Sequence, residues 1–448
     1  MMRRISLVGA TSVWAWLAAV GCSVATDADP EPTPNPDDPS CACYIPNAEA
    51  LCEDDGCVFA ACLEGWGDCD GDLENGCEAP LDTVDDCGAC GAACGGGGAT
   101  WTCEAAACVP SCGLNLGNCD GDDANGCEAD LTGDDQNCGG CGIDCDGGPC
   151  EAGTCGPTVL AYEPPESSST AYPRSLVLDD SHVYYVGLGT LKRVPKSGQG
   201  ASELLVGDVG VGDLGVDASG LYFPNEGSVN GVRWSALAPG GGEHLVAEAP
   251  SGIFVSNLYV DDSQLYFTNF MQGDILVSPK ASGSTATVLF ETSIGVRNVV
   301  RCGDYLYWTA SPRIERGLLG ATDTQGFEVV ADGQSFPFAI ACDDTHVYWT
   351  NRDGDGEGIM RASLKDLEVE TWLVSPNRPV EVAVDETHVY FTSAEDKSVL
   401  RAPKANPNAV ETLVSGLGRP SEMAIDGTHV FLNDSGRGEI IRFPKEGF

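Results

Sequence analysis

The sequence predicts an all-β chain, a seven-bladed β-propeller of four-stranded blades over residues 157–448, preceded by a small disulfide-rich repeat module. Two observations carry this. A phrase of the type Val-Asp-x-Thr-His-Val-Tyr-Phe returns seven times beyond Gly156, and 20 of the 23 cysteines lie between Cys41 and Cys155. Charge divides the chain in the same place. Residues 23–155 carry 29 Asp and Glu with no Lys or Arg, within a total of 68 acidic and 23 basic residues. A net charge of −45 excludes a nucleic-acid partner, because a phosphate backbone is held by clustered cations.

The propeller is read from register. The repeat aromatics are Tyr184, Tyr222, Tyr266, Tyr307, Tyr348, Tyr390 and Phe431, spaced by 38, 44, 41, 41, 42 and 41 residues. Around each, an apolar strand runs into an Asp turn and a β-branched and aromatic strand leaves it. A third and a fourth short strand follow, separated by Gly, Pro and Asp turns. Four strands in about 40 residues is the pattern of a propeller blade. The chain ends after a third strand, Glu439–Phe443, while a fourth-strand phrase, Thr158–Ala161, precedes the first blade. Thr158–Ala161 is therefore expected to complete the last blade and close the ring, leaving no open edge.

The cysteine module, residues 41–156, repeats at an offset of 50: Gly67–Cys94 and Gly117–Cys145 are copies. A Cys-Glu-x3-Cys element recurs at Cys52/Cys57, Cys103/Cys108 and Cys150/Cys155. Thiolate zinc sites and disulfides both fit the spacing Cys87-x2-Cys90-x3-Cys94. An even cysteine count, the lack of His and an export signal favour disulfides, whose pairing spacing alone does not determine. Within each copy, carboxylates and amides alternate: Asp68, Asp70, Asp72 and Asn75, then Asn118, Asp120, Asp122 and Asn125. Alternating oxygens in a Gly-containing turn can face one Ca²⁺; the simpler reading is a solvated acidic turn. The pattern resembles the calcium loops of thrombospondin type 3 repeats.

Met1–Arg4 followed by the apolar run Ile5–Gly21 reads as a signal peptide, residues 1–21. Ala19-Val20-Gly21-Cys22 resembles the lipobox of bacterial lipoproteins. That resemblance implies acylation of Cys22, and Ser23 then resembles an outer-membrane address. Residues 22–40, rich in Pro and Asp, read as a stiff linker.

Tyr348-Trp349-Thr350-Asn351 resembles the YWTD propellers of receptor ectodomains. Here the final Asp is replaced and seven copies stand where that family has six blades. NHL-type and streptogramin-lyase-type propellers are comparably similar, so the resemblance speaks to fold rather than function. Asn351, Asp353 and Asp355 match the opening of a calcium loop, or form a turn of good turn residues. Cys302 and Cys342 occupy neighbouring blades and are expected to pair. His182, His346, His388 and His429 fill one repeat slot, which argues for a structural role. His244 stands apart, and no catalytic motif is present.

The expectation is an exported, lipid-anchored, non-enzymatic surface protein of the outer membrane. Its propeller would bind an extracellular or envelope protein or glycan, with calcium as the only candidate cofactor. It would touch the membrane only through its lipid. The alternative is a propeller enzyme, lyase or lactonase/esterase-like, with a divalent metal in the central channel.

Overall fold

The computed structural model describes Tyr44–Glu446, apart from residues 54–55, 165–172, 211, 226–229, 252, 270, 293–294, 355 and 375–376. Cys22 and the segments read as signal peptide and linker lie outside the described residues, as does Asp355. Every regular element among the described residues is a strand. The chain forms two compact units, Met1–Asp130 and Leu131–Phe448. The second takes in the closing half-unit of the cysteine repeat, which the sequence reading grouped with the module.

The first unit is built from short antiparallel hairpins: Ala48–Glu53 with Gly56–Cys62, Trp66–Gly67 with Ala79–Pro80, Ala99–Glu104 with Ala107–Cys112, and Leu116–Gly117 with Ala129–Asp130. Its apolar cluster is small, centred on Ile45, Ala48 and Cys77. Disulfides therefore carry the stability that such a core cannot. Cys62–Cys77, Cys69–Cys90, Cys87–Cys103 and Cys94–Cys108 pair in the first copy. Cys112–Cys127, Cys138–Cys150 and Cys145–Cys155 repeat that scheme. The Cys-Glu-x3-Cys element is a tight hairpin in which Cys103 faces Cys108 across the ladder, yet each bonds elsewhere. Cys87, Cys94 and Cys108 lie together because two disulfides meet there, which removes the zinc reading.

The second unit is the seven-bladed propeller. The inner strands are Arg174–Leu178, Gly215–Asp217, Val255–Val260, Val296–Cys302, Pro337–Cys342, Pro379–Val384 and Pro420–Ile425. Each touches the next, and the seventh touches the first. Six blades are four antiparallel strands in chain order, and blade 2 gains a fifth, parallel strand, Ser284–Thr285, from the chain of blade 3. The seventh is Pro420–Ile425, His429–Asp434 and Glu439–Pro444, completed by Thr158–Tyr162 pairing with Glu439–Pro444. The ring thus closes with strands from both ends of the unit, as the strand count requires.

Large side chains of the second strands fill the spaces between blades. Trp308, Trp349, Tyr348, Tyr390 and Phe391 are fully buried, and Phe290 of blade 3 stacks on Trp308 of blade 4 at 5.4 Å. The repeat aspartate organises each seam. Asp343 Oδ1 accepts from the N–H groups of Thr345 and His346 at 2.7 and 2.8 Å, forming the turn. Its Oδ2 accepts from the Tyr348 hydroxyl at 3.3 Å and from Lys404 Nζ of blade 6 at 2.5 Å.

The same link joins Lys280 to Asp217, Arg301 to Asp261, Lys445 to Asp385, and Lys196 of blade 1 to Asp426 of blade 7. In blade 4, Cys302 occupies the aspartate slot and is disulfide-bonded to Cys342 of blade 5, with Cα atoms 6.2 Å apart. Between blades 1 and 2, Leu237 takes the lysine slot, and Arg193 donates to its carbonyl oxygen at 2.7 Å.

Burial works against the seam carboxylates, but the turn amides and the lysine outweigh it. Asp343 and Asp385 are held far below the usual range and Asp426 falls to about 2. Lys404→Met would leave the Asp343 carboxylate desolvated without its cation, at a cost of about 1–3 kcal/mol in urea unfolding. Exposed Lys365→Met should stay within about 0.5 kcal/mol; equal effects would remove the seam role.

Candidate functional site

Two regions bear on function: the acidic loops of the cysteine module and the channel of the propeller. The two acidic loops fold alike. Asp70 Oδ1 accepts from Asp72 N at 2.9 Å and its Oδ2 from Asn75 Nδ2 at 2.9 Å; Asp120 does the same with Asp122 and Asn125 at 2.9 and 2.8 Å. These bonds, the amide first, hold Asp70 and Asp120 below the usual carboxylate range. Asp68 and Asn118 accept from Gly71 N and Gly121 N, and Asp72 and Asp122 from Glu74 N and Ala124 N.

The turns end on Gly76 and Gly126, at φ +91° and +85°. A Cβ at Gly76 would come within 2.3 Å of Pro46 O. A residue the sequence reading missed completes each loop: Glu78 Oε1 accepts from Cys69 N and Asp70 N, and Glu128 Oε1 from Cys119 N and Asp120 N. Asp68, Asp70 and Glu78 bring oxygens within 4.8 Å of one another. Each already accepts a main-chain N–H, so the loop geometry is met by the protein's own donors.

The propeller candidates separate. Asn351 is buried and donates to Gln334 Oε1 at 3.1 Å, while Asp353 pairs with Arg378 at 3.2 Å. The four repeat histidines each place Nδ1 against the preceding Ser or Thr hydroxyl at 2.7 to 2.8 Å, a turn contact. His429 also joins its Nε2 to the Asp146 carboxylate, and Arg442 donates to Asp146 O at 2.7 Å. These contacts dock the closing half of the cysteine repeat on blade 7. His244 packs against Trp234 at 4.9 Å.

What sequence reading left unassembled is the channel wall. The residue nine positions before each repeat aromatic lies on the inner strand of its blade, or, for Asp213, two residues before it: Ser175, Asp213, Asn257, Asn298, Ala339, Glu381 and Glu422. A buried threonine of the second strand fixes this level in four blades. The N–H groups of Asn257, Asn298, Ala339 and Glu381 donate to the hydroxyls of Thr268, Thr309, Thr350 and Thr392 at 3.0 to 3.2 Å. That is the work of the Thr in the Tyr-Trp-Thr phrase. All of these level residues except Ala339 line a cavity of about 440 Å³.

Three of them are carboxylates, each half-buried in the wall. Burial, opposed by the Asn257 hydrogen bond, raises Asp213 to about 6. Burial and the charge of Asp213 raise Glu422 to about 8. Burial and the charge of Glu422 raise Glu381 well above the usual range. Glu422 Oε2 is buried with no hydrogen-bond partner. The donors are hard oxygens of the kind Ca²⁺ or Mg²⁺ takes. Yet among the described residues these three carboxylates do not bring oxygens within 4.8 Å of one another as a group. That spacing does not fit a single bound metal ion.

Basic residues surround the mouth on the face where inner strands begin. Arg352 follows the second strand of blade 5, and Arg378 and Arg419 precede the inner strands of blades 6 and 7. Arg297 lies one residue before Asn298 and lines the cavity. Arg297 stacks on Phe336 and Phe338 at 4.8 and 5.5 Å, and Arg352 on Phe338 at 4.9 Å. Burial lowers Arg352, Asp353 opposes this, and Arg378, Arg297 and Arg419 lower it further by repulsion. Phe254 and Met271 of blade 3 stand 61% and 63% exposed on the same side.

No protein-family model matches the chain, and no curated protein matches it. Solved propellers do. A catalytically inactive virginiamycin B lyase from Staphylococcus aureus with quinupristin is 14% identical, over 62% of this chain and 97% of its own, at a TM-score of 0.51. A streptogramin B lyase is 16% identical over 64% and 96%, at 0.50, and the WD40 propeller of Doa1 is 14% identical over 65% and 97%, at 0.50. At these identities the likeness concerns the fold alone.

The two sets of shifted carboxylates pull stability in opposite directions with pH. Asp213 and Glu422 are raised in the fold, so their charged forms cost stability, and protonating them between about pH 8 and 5 is stabilising. The seam aspartates are depressed, so their contribution is complete above about pH 4 and is lost as pH falls toward about 2. Calorimetric Tm of residues 23–448 should peak near pH 5. Glu422→Gln should raise Tm at pH 8 and flatten the alkaline limb; an unchanged limb would place the titration elsewhere.

Proposed function

We propose that the chain is an exported, lipid-anchored, non-enzymatic surface protein whose propeller binds a protein or glycan through the face around its channel mouth. The observation that carries this reading is the cluster of Arg297, Arg352, Arg378 and Arg419 with Phe336 and Phe338, set on one face in a chain of net charge −45. Elsewhere in the blades, arginines serve the fold. Arg193, Arg233, Arg316, Arg361 and Arg401 pair with the fourth-strand Glu203, Glu243, Glu328, Glu370 and Glu411. The mouth arginines lie outside that ladder, beside exposed apolar groups. Arg and aromatics together are the composition of binding hot spots. An acidic surface complements them.

A second reading, a channel enzyme with a divalent metal, draws on the hard oxygens of the channel wall. Their spacing does not support it, and the wall serines, Ser175 and Ser256, donate their hydroxyls to Gly212 O and Thr268 O, so no catalytic step is derived.

Soluble ectodomain, residues 23–448, incubated with envelope and extracellular fractions should retain a saturable partner. Arg352→Glu with Arg378→Glu should weaken that capture at least about tenfold without lowering Tm by more than a few degrees. Undiminished capture by the double variant would move the site off this face. Anchoring is tested separately: the full chain should incorporate a palmitate label and partition with membranes, and Cys22→Ser should abolish both. A labelled Cys22→Ser chain would remove the lipid assignment.

A further inference from the structure

The channel behind the mouth is lined asymmetrically. Blades 2, 6 and 7 contribute Asp213, Glu381 and Glu422, while blades 3 and 4 contribute the neutral amides Asn257 and Asn298. Blades 4 and 5 add Arg297 and Phe338. Ala339, fully buried in the core between blades, takes the blade 5 slot and is not part of the lining. Apolar Leu176, Leu258 and Met423 complete the wall between the charged groups. A cavity of about 440 Å³ falls in the range that encloses a small organic molecule.

We propose that this cavity is a binding site for a small zwitterion, whose ammonium end is taken by Glu422 in the field of Glu381 and Asp213 and whose anionic end is held by Arg297 at the mouth. The proposal rests on the reading of the propeller as a binding domain, and it names a ligand class for its channel. A purely anionic ligand would use Arg297 but leave the buried Glu422 Oε2 without a donor. A purely cationic one would meet Arg297, Arg352, Arg378 and Arg419 on its way in. A single metal ion would need the oxygens to converge, and they do not.

A flexible ligand with opposite charges on an aliphatic stem satisfies each surface in turn. Its ammonium can donate three hydrogen bonds, and Glu422 Oε2 is a buried acceptor with no partner to supply one. Its stem lies against the apolar wall and its carboxylate meets the guanidinium, for which a charge-assisted bond is the favoured match. Because burial favours the protonated carboxylates in the free protein, an arriving ammonium displaces protons. Binding is therefore accompanied by proton release and weakens as pH falls from about 8 to about 5.

The test is isothermal titration of residues 23–448 with four probes: 6-aminohexanoate, hexylamine, hexanoate and Ca²⁺. The zwitterion should bind at least about tenfold more tightly than hexylamine or hexanoate. Its heat should vary with the ionisation enthalpy of the buffer, reporting released protons. Glu422→Gln should weaken 6-aminohexanoate about tenfold and reduce proton release. Arg297→Gln should weaken it without changing the proton count. Thermal unfolding of each variant separates lost binding from lost fold. Asn257→Ala, a second and milder change of the wall, should also lower affinity.

Binding of Ca²⁺ with no preference for the zwitterion would overturn the proposal, as would the absence of heat with all four probes. These titrations use the protein alone. Macromolecular capture that persists without zwitterion binding would overturn the channel assignment and leave the reading of the face intact. Zwitterion binding without capture would do the reverse.

Discussion

The propeller depends on a carboxylate shared across a seam. In most blades one aspartate shapes the turn between the first two strands with one oxygen. With the other it reaches a tyrosine hydroxyl of its own blade and a lysine or arginine of the next. A single side chain thus couples local turn geometry to inter-blade docking, and repetition turns that coupling into a closed ring. The interaction is strong because the group is neither fully buried nor fully wet. Its charge is desolvated enough to value the cation, and the turn amides keep it ionised. Where the aspartate is replaced by Cys302, a disulfide to Cys342 takes over the same seam.

Placing these links on one face has consequences for the other. The Asp turns and the lysines after the third strands occupy the face where inner strands end, so that side is committed to holding the ring. On the opposite face, where inner strands begin, the connections differ between blades: that from the second to the third strand is short between Gly187 and Thr190 and longer between Asn351 and Gly358. The departures from repetition gather there and along the channel: arginines and phenylalanines around the mouth, carboxylates on one arc, amides on another. Rigid strands with variable loops at one end are the usual setting for binding sites.

The cysteine module solves a different problem. It is short, acidic and poor in large apolar residues, so its chain entropy is constrained mainly by covalent links. Its carboxylates cap its own main-chain donors, which reduces the cost of their mutual repulsion without a cation. Repetition of the pairing scheme in its second copy, and the docking of that copy's end on blade 7 through Asp146, show one unit design used twice in different surroundings.

Blade number, strand order and the crossing of Thr158–Tyr162 to the last blade were legible in the sequence. Hydrophobic alternation and turn chemistry are local, and a repeat displays them seven times over. The disulfide-rich character of the module was legible for the same reason, but its pairing was not, because spacing is compatible with many connectivities. The acidic loops were visible as a pattern, whereas Glu78 and Glu128, which complete them, were not.

The channel is the instructive case. Asp213, Glu381 and Glu422 lie far apart in the chain and resemble ordinary strand residues. The signal was present as the constant offset from the repeat aromatics. It became chemistry only when the ring closed, because charge repulsion, burial and the shared cavity depend on distances that only the closed fold sets. Composition and periodicity determined the architecture of this protein; tertiary structure decided which of its many carboxylates face one another, since electrostatics acts through space and not along the chain.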